Sequence, residues 1–103
     1  MEKYADGTLE MENSQESTLN KIKDDLIKGY FEKIKNSEAV LIINENKKGI
    51  ENYIGGNTFL EMGFAHVLSR KIYLLNKIPD ISYSDEIIAM QPIILEGDLR
   101  RIK

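Results

Sequence analysis

Three continuous apolar runs limit what this chain can fold into. They occupy residues 39–43, 72–75 and 92–95, and each is rich in branched aliphatic side chains. In the first two runs, continuous hydrophobicity, as opposed to alternation, is typical of strands buried on both faces in a parallel sheet that helices cover. We therefore predict three strands, at residues 39–44, 71–75 and 92–95.

Segments with a helical apolar period separate these runs, and they predict helices at residues 16–36, 58–69 and 84–90. The resulting order, α-β-α-β-α-β, predicts an α/β domain with an open parallel sheet and right-handed crossovers. Residues 1–15 are polar and show no apolar period. We expect them to form a polar N-terminal arm, followed by a single α/β domain over residues 16–103.

Composition excludes several classes of function. The chain has 103 residues and a net charge of −3, with no basic stripe to contact a phosphate backbone, so we expect no nucleic-acid partner. It has no cysteine, which excludes disulfides and a cysteine nucleophile and favours a cytoplasmic location. With His66 as the single histidine, we predict no metal site and no cofactor. The apolar runs are far shorter than the ~20 residues that span a bilayer, so we expect no membrane association.

Polar residues follow the predicted strands. In open parallel sheets, ligands bind beyond the carboxyl ends of the strands. That rule places Asn44, the loop at 45–57 and Asn76 on one rim, with Asn44 as a candidate ligand contact. Residues near the third helix could also reach a pocket there, although turn, capping and packing roles suit them better. Among them we retain Met90 as a candidate substrate contact.

The stretch from Gly55 to Ala65 carries the strongest chemical signal. Glu61 falls in the first turn of the predicted helix, where the helix dipole favours a carboxylate that could act as a nucleophile or a general base. The alternative is a capping box, in which Thr58 and Glu61 bond each other's backbone N–H groups. Gly55 and Gly56 could bring backbone N–H groups to a phosphate or sugar, or could form a tight turn that needs positive φ.

Three motifs in this part of the chain occur together in one known family. The first is an entry to an apolar strand that reads Ser37-Glu38-Ala39-Val40-Leu41-Ile42-Ile43. The second corresponds to D-x-G-T-x-x-E-x-G-x-A and reads Gly55-Gly56-Asn57-Thr58-Phe59-Leu60-Glu61-Met62-Gly63-Phe64-Ala65. The third reads Ser69-Arg70-Lys71-Ile72-Tyr73-Leu74-Leu75. Through these motifs, residues 37–75 resemble the nucleoside 2-deoxyribosyltransferase-like family, which includes the deoxynucleoside 5'-monophosphate N-glycosidases.

The resemblance implies a fold and a chemistry. The fold would be a three-layer, flavodoxin-like, doubly wound parallel sheet. Glu61 would be the nucleophile that attacks the anomeric carbon of a deoxynucleoside or its 5'-monophosphate. Asn44, Gly55, Gly56, Asn57 and Thr58 would bind the substrate. The aspartate and the glycine of the family motif are replaced by Gly55 and Asn57.

The family's first strand and helix have no counterpart in the sequence, so we expect a fold shortened at its N-terminus. An exposed sheet edge would result, and exposed edges are usually covered. We therefore expect a homo-oligomer, and the resemblance implies that its subunits share sites. Two alternatives remain open: a non-catalytic nucleotide- or nucleoside-binding module of the same fold, and an oligomeric protein with a purely structural role.

Overall fold

The computed structural model of the chain describes residues 14–103, with side chains from residue 19 onward. The predicted order of helices and strands is confirmed. Residues 1–13 of the predicted arm lie outside the described residues. Its last two residues, Ser14 and Gln15, belong to the first helix. The elements are α1 (Ser14–Lys35), β1 (Ala39–Ile42), α2 (Gly56–Val67), β2 (Lys71–Leu74), α3 (Ser84–Ala89), β3 (Ile93–Ile94) and a final 3-10 turn (Leu99–Arg101).

The chain divides into two compact units, and α1 contains the boundary between them. The first unit ends at Tyr30, and the second comprises residues 31–103. In the first unit, the apolar side chains that the helical period predicted for α1 are present but largely exposed, as at Leu19, Ile22 and Leu26. All three strands belong to the second unit, which therefore carries the sheet and the candidate site.

The sheet has three parallel strands in the order β1-β2-β3. Ala39 lies opposite Lys71, and Tyr73 lies opposite Ile93. The strands are shorter than predicted, and β1 ends at Ile42, two residues before Asn44. The three-strand parallel α/β arrangement is nevertheless the predicted one.

The hydrophobic core of residues 31–103 lies on one face of the sheet. Because side chains alternate along a strand, Ile42, Ile72 and Leu74 point to the same face. All three belong to one cluster that also contains buried residues of each helix: Ile34 of α1, Met62 and Ala65 of α2, and Ile87 of α3. In this unit, the helices therefore form one layer against one face of the sheet.

The opposite face is only partly covered. Tyr73 and Leu95 are buried on it, and the Tyr73 hydroxyl donates to the Lys103 carbonyl at 3.3 Å, so the C-terminal segment crosses this part. Leu41 and Ile43, by contrast, are 41% and 51% exposed. The prediction of burial on both faces is correct for β2 and wrong for β1. Within residues 31–103 no second layer of helices covers this face.

Neither a membrane helix nor a metal cluster occurs in the described part of the chain. No helix within residues 14–103 combines the length and apolarity needed to cross a bilayer. The side chains of residues 19–103 include no group of three or more histidine, aspartate or glutamate residues placed to hold a metal ion.

Candidate functional site

Two asparagines join the carboxyl ends of β1 and β2. The Asn44 side chain is buried, and its amide nitrogen donates to the carbonyls of Asn76 and Lys77, both at 3.0 Å. Its amide oxygen accepts the Asn76 backbone N–H at 2.9 Å, and the Asn76 amide donates back to the Asn44 carbonyl at 2.9 Å. Asn44 is the residue predicted to contact a ligand. Both N–H groups of its side-chain amide, however, already donate to carbonyls within the protein. In the structure, Asn44 fixes the positions where two rim loops begin.

The loop after Asn44 folds into a small hairpin. Lys47 and Ile50 exchange two backbone hydrogen bonds, at 3.0 and 2.9 Å. The two residues between them, Lys48 and Gly49, both have positive φ, which is the geometry of a type I′ turn. Farther in, the Tyr53 N–H donates to the Glu45 carbonyl at 3.0 Å. The loop therefore has a defined conformation of its own.

Tyr83 anchors the far end of this loop. Its hydroxyl donates to the carbonyl of Ile54, whose side chain is fully buried. Its ring lies against Phe59 of α2, with 4.5 Å between the ring centroids. Burial raises the pKa of Tyr83 above its ordinary value, and the nearby Tyr53 adds to that rise. Tyr83 thus holds the loop and the start of α2 together in its neutral form.

Helix α2 begins two residues earlier than predicted. Gly55 is its N-cap residue, in an extended conformation with φ −82°, and Phe59 N–H donates to the Gly55 carbonyl at 2.9 Å. Thr58 is therefore inside the helix, and no side chain caps its start. The capping-box alternative for Thr58 and Glu61 is wrong, because Glu61 is the sixth helical residue. It also lies beyond the first turn, to which the influence of the helix dipole is confined.

Gly55 is explained by a close approach and not by positive φ. A Cβ atom at this position would lie 3.3 Å from Cε2 of Tyr53, so any larger residue would press on that ring. Gly56 has open space around it and is simply the first residue of the helix. The tight-turn explanation with positive φ is therefore wrong for this pair, and in this loop it applies to Gly49 instead.

A cleft of about 450 Å³ opens at the rim, and we call it the rim cleft. It brings four predicted substrate contacts together at the start of α2, namely Gly55, Gly56, Asn57 and Thr58. The first backbone N–H groups of a helix have no partner within the helix. The other walls come from the hairpin loop and the end of β1: Ile43, Glu45, Asn46, Lys47, Lys48 and Tyr53. The Lys48 ammonium lies 5.6 Å from the centroid of the Tyr53 ring.

Glu61 does not line the rim cleft. It lines a groove of about 240 Å³ beside β1, which we call the edge groove; its other walls include Lys33, Ile34, Ser37 and residues 39–42. Asn57 lies one helical turn before Glu61 on the same side of α2, about 6 Å away along the axis. Since the edge groove ends at Ile42 and the rim cleft begins at Ile43, the two depressions are consecutive along β1.

The remaining candidates lie elsewhere. Met90 is the C-cap residue of α3 and packs against the hydrophobic core, lining neither the rim cleft nor the edge groove. Lys47, Lys48 and Tyr53 also line the cleft, and none of them was selected as a site residue from the sequence. The available signal was Gly49, because glycine is favoured at the second central residue of a two-residue hairpin turn, and such a turn folds the loop back.

Replacing Asn44 tests the asparagine pair. Asn44→Ala removes three side-chain hydrogen bonds from a buried position, and at ~1 kcal/mol per bond we expect a loss of about 3 kcal/mol in the free energy of unfolding. Urea denaturation measures it. Asn46→Ala is the control, because its exposed amide oxygen accepts one bond, from Asn52. Equal losses in the two variants would contradict a special role for Asn44.

Tyr83→Phe tests the loop anchor. It retains the ring contact with Phe59 and removes the hydroxyl, so we expect a loss of ~1 kcal/mol in the free energy of unfolding near neutral pH. A raised pKa means that the stabilisation is fully present below the ordinary value of ~10 and is lost as the pH rises through the raised value. The difference between wild type and variant should therefore shrink in alkaline buffer. Tyr30→Phe is the control, and a pH-independent difference for Tyr83→Phe would contradict the assignment.

Comparisons with known proteins identify no relative: no family model matches the chain, and neither a characterised protein nor a solved structure matches it significantly.

Proposed function

We propose that this protein is a nucleoside 2-deoxyribosyltransferase-like enzyme that cleaves or transfers at the N-glycosidic bond of a deoxynucleoside or its 5'-monophosphate. The observation that carries the proposal is the position of Glu61. Its carboxylate does not cap α2, and among the described side chains, those of residues 19–103, it forms no ion pair. It lines the edge groove, whose last strand residue, Ile42, directly precedes Ile43 of the rim cleft. A half-buried carboxylate with no structural partner there is available for chemistry.

The proposed reaction has two steps. The Glu61 carboxylate attacks the anomeric carbon, the bond from that carbon to the base breaks, and the base leaves with the bonding electrons and takes a proton from solvent. Water or a second base then attacks the same carbon and releases Glu61. The start of α2, from Gly55 to Thr58, would orient the sugar or phosphate through its backbone N–H groups.

The proposal also covers the fold, the cellular location and the oligomeric state of the protein. Three neighbouring parallel strands with helices on one face fit the central part of a flavodoxin-like sheet. We propose that fold, in three layers and shortened at its N-terminus, for this protein. We also propose that the enzyme acts in the cytoplasm as a homo-oligomer whose subunits share sites.

A second function is supported by one specific observation. Gly55 stands where the related motif has an aspartate, and in the structure it serves the approach of Tyr53. A protein of the same fold that binds a nucleoside or nucleotide without cleaving it needs no residue to assist departure of the base. In that case Glu61 would accept a hydrogen bond from a ribose hydroxyl.

Glu61→Gln distinguishes the two functions. We expect release of free base, followed by chromatography over a panel of deoxynucleosides and monophosphates, to fall at least ~100-fold, as is typical when a catalytic group is lost. Because Glu61 is not a cap, the free energy of unfolding should change by less than ~0.5 kcal/mol. Glu38→Gln is the matched control, since Glu38 is an exposed glutamate next to the same strand and does not line the edge groove.

The outcomes separate cleanly. Base release that persists in Glu61→Gln would contradict the nucleophile. No release by wild type, together with a melting shift on addition of a nucleoside or nucleotide, would favour the binding module. Neither release nor a melting shift would reject both functions and leave the structural role.

A further inference from the structure

The outer edge of β1 carries unpaired backbone groups. Within residues 31–103, β1 has β2 on one side and no strand on the other. Lys71 N–H donates to the Glu38 carbonyl and Leu75 N–H to the Ile42 carbonyl, so the even-numbered residues face β2. In a parallel ladder the N–H and C=O of one residue point to the same side. Ala39, Leu41 and Ile43 therefore direct three N–H and three C=O groups outward, and these groups bond to no backbone group of residues 31–103.

This edge lacks the features that normally protect an exposed strand. Natural edge strands carry charged residues, proline or bulges that prevent pairing with another chain. The run from Ala39 to Ile43 contains no charge and no proline, and β1 pairs with β2 in unbroken register. The side chains of Leu41 and Ile43 are also exposed. An unprotected apolar edge of this kind is suited to strand addition.

The outward groups are complementary to a second copy of themselves. If two β1 strands run antiparallel with Leu41 opposite Leu41 of the second copy, Ala39 falls opposite Ile43 on each side. Each such pair exchanges two hydrogen bonds, and all six outward groups of each strand are satisfied. The register that centres on Leu41 is the one that leaves none of them unpaired.

Side chains and charges agree with this register. Ala39, Leu41 and Ile43 lie on the open face of the sheet, so the two copies would form one continuous apolar strip there. On the other face, the edge groove carries one basic side chain, Lys33, and one acidic side chain, Glu61. Each copy thus presents both signs of charge beside the shared edge.

We propose that β1 pairs with β1 of a second copy about a two-fold axis at Leu41, which produces a continuous six-stranded sheet. The inference does not depend on the proposed enzymatic function. The sequence predicts a homo-oligomer without a contact. The proposed dimer has a defined contact strand, register and direction. The partner strand would run beside residues 39–42, which line the edge groove. The rim cleft, at the carboxyl end of β1, would remain open.

Single cysteines test the register, because the wild-type chain has none. Leu41→Cys should form a disulfide-linked dimer under mild oxidation, since hydrogen-bonded partners in an antiparallel pair have Cα atoms ~5.5 Å apart, within the range for disulfides. Ala39→Cys and Ile43→Cys should each remain unlinked, because like positions would be ~13 Å apart. An equal mixture of those two variants should link. Non-reducing electrophoresis of the full chain measures all four cases.

Ile93→Cys is the matched control. Ile93 lies on the same open face with 43% exposure, close to the 41% of Leu41, but on β3 at the other edge. We expect no more than background linkage from it. Linkage of Leu41→Cys no faster than that of Ile93→Cys, or a wild-type protein that light scattering shows to be monomeric at micromolar concentration, would overturn the proposal.

Charge variants provide an independent check. Leu41→Lys and Leu41→Glu would each bring like charges together at the two-fold axis and should each be monomeric, whereas their mixture should form a heterodimer. Ile93→Lys should remain dimeric. Circular dichroism establishes that each variant is folded. Loss of the dimer in Ile93→Lys, or failure of the two Leu41 variants to pair, would also contradict the proposed contact.

Discussion

The reciprocal bonding of Asn44 and Asn76 is the interaction on which the functional end of this fold depends. Four hydrogen bonds connect the ends of two neighbouring parallel strands at the point where the chain leaves the sheet on each of them. Since Asn44 is buried, these bonds are shielded from water, and an incomplete set would be costly. The hairpin loop before α2 and the loop before α3 both begin from this fixed point. Their positions, and hence the shape of the rim cleft, follow from it.

Strand β1 contributes to both proposals made for this protein. Ile43, directly after β1, lines the rim cleft, and the four residues of β1 line the edge groove together with Glu61. Its outer backbone is the edge that we propose pairs with a second copy. Assembly and chemistry would therefore use adjacent surfaces. Leu41 lines the edge groove together with Glu61, so a substitution at Leu41 would act on assembly first and on the groove through it.

Much of the fold could be predicted from the sequence, because the apolar runs and helical periods are strong local signals. Boundaries and exposure were less predictable. The Thr58–Glu61 pattern resembles a capping box, but the helix begins at Gly56, which leaves Thr58 inside it and Glu61 beyond its first turn. The apolar run of β1 indicated burial on both faces, whereas its position at the sheet edge decides its exposure. Position within a sheet depends on distant pairing and leaves no local signal.

The same limit applies to the candidate site. The prediction that residues 55–58 lie together is correct, because residues that are adjacent in sequence at the start of a helix are also adjacent in space. Sequence reasoning could not show that Glu61 lies in a separate groove or that Asn44 is fully engaged with Asn76. The hairpin loop has a consequence of its own. Its turn, its bond from Tyr53 to Glu45 and its buried Ile54 give it a single conformation before any ligand arrives. Binding at the rim cleft would then require little loss of conformational entropy from the loop, so affinity there would reflect contacts more than ordering.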